Sequence, residues 1–135
     1  MLYVVLIPGW AWVAILTGTW ASAASVAIVR AGIRNRLFLA LLGVMAVQTV
    51  AAASTALATS RDPLDDFACL MGYLGMWAAL FVTLGEAIAV AVLFRSWRKA
   101  YPGNAGSFVV WTAIWFVFNA TALLAHMRSA ALCTV

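Results

Sequence analysis

Residues 37–59 read LFLALLGVMAVQTVAAASTALAT, twenty-three positions without a single charge. At 1.5 Å per residue a helix of that length covers about 35 Å, more than the roughly 30 Å hydrocarbon core of a bilayer. Three other runs repeat the pattern. Residues 2–29 carry no charge, residues 67–94 carry one, Glu86, and residues 105–127 carry none. Each is long enough to cross. The composition agrees, since only 9% of the 135 residues are charged and 67% are hydrophobic. A soluble domain needs roughly 25% charged residues to cover its surface. The mean hydropathy of +1.05 makes lipid the main solvent.

The expected fold is therefore all-α: a polytopic, four-transmembrane-helix bundle forming a single transmembrane domain over 1–135. Its helices are expected at about 8–29, 37–59, 67–94 and 105–127. Pro8-Gly9 is read as the start of the first, because proline is tolerated in a first helical turn. The N-terminal run is expected to be retained as a helix. Its first charge, Arg30, follows the apolar stretch instead of preceding it, the reverse of a cleavable signal.

The connections set the orientation. The first holds Arg30, Arg34 and Arg36, and the third holds Arg95, Arg98 and Lys99. The second, Ser60 to Asp66, has one positive and three negative residues. Short basic loops stay in the cytoplasm, so the chain is expected as two hairpins with both termini non-cytoplasmic (N-out/C-out). The cell membrane is the expected location, with a bacterial inner membrane as the setting. Trp97 and Tyr101 are expected in an inner aromatic belt, and Tyr3, Trp10, Trp12 and Tyr73 in an outer one. The net charge of +4 then reports topology and contact with anionic lipid, and no nucleic-acid partner is expected.

Glu86 is the feature most suggestive of chemistry. It precedes Arg95 by nine residues, about 13 Å of helix. An acid at that depth is costly and should face the bundle or a wet cavity. Depth-matching places Gln48, Asn119, Thr83 and Thr19 near it, so these five form a candidate intramembrane polar cluster. Such a cluster is either a proton or cation relay, a polar pore lining, or hydrogen-bonded glue between helices. His126 and Arg128 fall at the outer end of the fourth helix, where interfacial solvation is expected. Cys69 and Cys133 fall on that same side, and either bridge as a disulfide or remain two free thiols. Small residues are dense, including Gly72, Gly75 and Ala79, which allows close helix approach within or between chains.

Neither a nucleotide loop, an HExxH motif nor a Ser/His/Asp set occurs, and the one lysine, Lys99, is in a loop. No enzyme activity, cofactor or metal is expected. In architecture the chain is similar to multi-span phage holins, which are short, carry several helices and have basic cytoplasmic turns. That resemblance covers topology and no motif. It implies self-association into an oligomer and pore formation. The chain departs from many holins in ending Leu-Cys-Thr-Val, outside, without a charged cytoplasmic tail. Two other readings stand beside it. One is a non-catalytic accessory subunit of a larger membrane complex. The other is a small proton-coupled transporter using Glu86. The small multidrug exporters also have four helices and one membrane glutamate, but theirs lies in the first helix and Glu86 in the third.

Overall fold

The computed structural model describes residues 6–31, 36–63, 65–100, 103 and 105–134. Four helices follow one another: α1 (Gly9–Ala31), α2 (Arg36–Arg61), α3 (Asp66–Ala100) and α4 (Ala105–Leu132). All four are long and apolar enough to span a membrane. The protein is an all-α four-helix bundle and a small integral membrane protein. Tyr3, Arg34 and Tyr101 lie outside the described residues, as does the side chain of Arg30.

Local chemistry explains the helix starts. Pro8 stays just outside α1, where its carbonyl accepts the Ala11 N–H at 3.0 Å. Asp65 caps α3: its carboxylate accepts the Phe67 N–H at 3.2 Å and its carbonyl the Cys69 N–H at 3.0 Å. Asp66 follows in the first turn, at the positive end of the helix dipole.

Two helices run on past the expected ends. α3 continues through Arg95-Ser-Trp-Arg-Lys to Ala100, and α4 reaches Leu132. The reason is packing. Glu86, Val90, Leu93 and Trp97 recur at spacings of three and four and form one buried stripe on α3. Trp97 therefore leaves the expected interfacial belt and joins an aromatic plug at the basic end of the bundle. Its ring centroid lies 5.6 Å from that of Phe38 and 5.9 Å from that of Phe108. Phe38 also meets Trp111 edge-on at 5.0 Å. Trp12 is likewise buried, one turn from Leu16 on the inner stripe of α1, while Trp10 and Tyr73 are exposed.

The helices form a diamond. α4 touches α1, α2 and α3, whereas α1 and α3 occupy opposite corners and do not meet among the described residues. α2 likewise touches the three other helices, and α4 is the most enclosed of the four, with α2 next. Gly72 and Gly75 serve this chain's own packing. A β-carbon on Gly72 would come within 2.8 Å of the Ala130 nitrogen, and one on Gly75 would overlap the His126 ring. The small-residue spacing of α3 thus brings it against α4.

Candidate functional site

The centre of the bundle holds a polar network built on three helices. Glu86 is 4% exposed, and its Oε2 accepts hydrogen bonds from Trp115 Nε1 and Asn119 Nδ2, both at 2.8 Å. Trp115 and Asn119 are four residues apart on α4, so both side chains meet α3 from one face. Asn119 is the hub. Its Oδ1 accepts from Thr83 Oγ1 at 2.8 Å and from Gln48 Nε2 at 3.2 Å, and its Nδ2 also reaches the Trp115 carbonyl at 3.2 Å. Two oxygens remain buried without a partner, Glu86 Oε1 and Gln48 Oε1.

Four of the five expected cluster members are thus joined by hydrogen bonds. Thr19 is not. Its hydroxyl donates back to the Ile15 carbonyl of its own helix at 2.8 Å, because α1 lies across the diamond from α3. Depth-matching gave Thr19 the right level and could not tell which helices are neighbours. The member that sequence reasoning missed is Trp115. The available signal was its position one turn before Asn119, with an indole N–H that needs an acceptor when buried.

A second polar region lies toward the end of the bundle that carries the acidic α2–α3 connection. His126 is 5% exposed and Arg128 6% exposed, so neither is solvated at an interface as expected. α4 extends past both residues and is covered by three other helices, which removes them from water. Arg128 Nη2 donates to Ser60 Oγ at 3.3 Å, but its Nε and Nη1 have no partner. The His126 Nδ1 has none either. Beside them the Thr59 and Ser129 hydroxyls bond at 2.9 Å. Cys69 and Cys133 form a disulfide across 64 residues of sequence, with α-carbons 5.6 Å apart, tying the start of α3 to the end of α4.

At the other end Arg36, Arg95, Arg98 and Lys99 project from the helix termini, with the Arg98 guanidinium 5.6 Å above the Phe94 ring. Among the described residues no three His, Cys, Asp or Glu side chains come together as a metal ion would require.

A groove of about 500 Å³ opens between α2 and α3 toward the lipid side, with Ala122 and His126 of α4 as its floor. It runs from Val47 and Gln48, beside the central network, to Ala58 and Phe67.

These features define a class, the polytopic four-helix membrane bundle with a buried acid. Comparison with known protein families, characterised proteins and solved structures finds no match that would narrow it.

Proposed function

We propose that the protein is a self-associating, non-catalytic membrane protein of holin-like type, which assembles side by side and permeabilises the bilayer between its copies. In this reading it sits in a bacterial inner membrane with the basic end in the cytoplasm and both termini outside. The supporting observation is the outward face of α3. Leu70, Trp77, Phe81, Leu84 and Ile88 form one stripe along it, with Trp77 57% and Phe81 69% exposed. The opposite face of the same helix is occupied by α4. An aromatic face of this breadth offers a neighbouring helix a large area for dispersion contact and ring stacking in place of lipid. Any pore would form between protomers, since the central network points into its own bundle.

The test combines cross-linking in mild detergent with dye release from vesicles. The native chain is expected to give oligomers and leakage, and Trp77→Ala/Phe81→Ala to lose both at least tenfold with the helices intact. A chain that stays monomeric and leaves vesicles sealed refutes the proposal. Co-purification of a different membrane protein on this stripe would make it an accessory subunit instead.

The unpartnered Glu86 Oε1 favours one further reading, a small proton-coupled transporter. It requires Glu86→Gln to abolish gradient-driven uptake while the bundle stays folded. Uptake that survives the substitution rules it out.

A further inference from the structure

We infer that the furrow between α3 and α4 at the basic end of the bundle holds one anionic phospholipid, its acyl chain in the furrow and its phosphodiester on Arg98. The inference does not rest on self-association. Phe94, the α3 wall of the furrow, lies roughly a third of a turn round the helix from Ile88 on the outward stripe, so a lipid here leaves that stripe free.

The furrow suits the tail. It has a volume of about 510 Å³ and is walled by Phe94 of α3 and by Phe108, Val109, Thr112, Ala113 and Phe116 of α4. From Phe108 to Phe116 it runs about 12 Å at 1.5 Å per residue, most of the roughly 15 Å depth of one hydrocarbon leaflet. Val109 and Phe116 are exposed, so it opens to the surrounding lipid. The polar atoms along it are already used within the chain. The Thr112 hydroxyl donates to the Phe108 carbonyl and the Trp115 indole N–H to Glu86, both at 2.8 Å. An alkyl chain laid there gains dispersion contact and strands no polar group.

Charge selects the head group. At the shallow end, one turn beyond Phe94, the Arg98 guanidinium sits 5.6 Å above the Phe94 ring. The ring holds the cation at the mouth of the furrow and leaves its N–H donors for oxygen acceptors. Arg95 and Lys99 are exposed close by on the same helix. The chain offers these cations no carboxylate. Its four acids are Asp62, Asp65 and Asp66, at the opposite end, and Glu86, which is buried and bonded to Trp115 and Asn119. The counter-charge therefore comes from outside the chain. At head-group depth, above an acyl furrow, that is an anionic phosphodiester, which a guanidinium binds through two parallel N–H···O bonds. A second copy in the same orientation is not the occupant, since it brings the same cations and no acid to this level.

The test is native mass spectrometry of the full-length, disulfide-bonded chain from detergent micelles carrying dioleoyl-phosphatidylglycerol or dioleoyl-phosphatidylcholine, which share their tails and differ in net charge. One phosphatidylglycerol per protomer is expected, retained at least tenfold more tightly than phosphatidylcholine. Arg98→Gln should weaken that retention at least tenfold. Arg36→Gln, which removes the same charge from the start of α2, should change it less than about threefold. Ala113→Phe fills the furrow from an exposed position and should also weaken retention at least tenfold with every charge intact. Phosphatidylglycerol with a diazirine in its acyl chain should label 109–116 of the native chain, which locates the site without any substitution. Equal retention of the two lipids, equal losses from Arg98→Gln and Arg36→Gln, undiminished retention in Ala113→Phe, or labels spread evenly over exposed residues such as Val47 would overturn the inference.

Discussion

Two polar regions share α4 and are treated in opposite ways. Around Asn119 every donor is paired with a group on α2, α3 or α4 itself, and only the oxygens Glu86 Oε1 and Gln48 Oε1 lack a partner. Around His126 and Arg128, two turns further along, burial is as complete but partners are scarce. A network so widely connected in a low-dielectric interior specifies which helices are neighbours, since any other arrangement strands several more polar groups at once. The other region does not specify its neighbours that way. Close approach at Gly72 and Gly75, together with the Cys69–Cys133 bridge, holds it instead.

Breaking the first region should have the largest effect. Asn119→Leu removes the hub, leaving the Thr83 hydroxyl and the Gln48 amide without an acceptor and Glu86 with one donor fewer. A buried orphan costs about 1–3 kcal/mol, so a total loss of about 3 kcal/mol is expected from unfolding in detergent. A loss below about 1 kcal/mol would mean that the network contributes little to holding the helices together.

The disulfide comes next. Cys69→Ser/Cys133→Ser opens a constraint across 64 residues and should cost about 2 kcal/mol, the low end of the usual range because the close α3–α4 approach at Gly72 and Gly75 remains. Hydrogen exchange sharpens the contrast. Amides in 66–75 and 126–132 should exchange faster than in the oxidised chain, while those in 79–90 change little. Uniform acceleration along α3 would show that the two regions unfold as one unit.

Arg128→Met is expected to have the smallest effect, within about 1 kcal/mol of neutral and of either sign, because a buried cation without a carboxylate stabilises little that an apolar side chain of similar length would lose. Thermal unfolding checks this, and a loss above about 2 kcal/mol would reveal an electrostatic partner that the Ser60 contact does not account for.

How much of this was legible varies by residue. The runs 37–59 and 105–127 announce spanning helices through length and absence of charge alone. The last six residues of α3 were not legible, because Arg95, Arg98 and Lys99 look like a loop until Trp97 is seen docked on Phe38. Glu86, Gln48, Asn119 and Thr83 were readable as polar residues at one depth. Trp115 was hidden among the aromatic residues that a lipid-facing helix also carries. His126 and Arg128 misled for a related reason: a place at the expected outer end of a helix implies water only if the helix stops there, and α4 runs on to Leu132.

The amino-acid sequence by itself determined the solvent, the number of helices and the common level of Glu86, Gln48, Thr83 and Asn119. All three follow from hydrophobicity and the fixed rise of a helix. Only the tertiary structure decided which helices touch. In a bilayer every helix is apolar on all sides, so hydropathy carries no information about its neighbours, and contacts as specific as Gly75 on His126 and Asn119 between Gln48 and Glu86 must supply it.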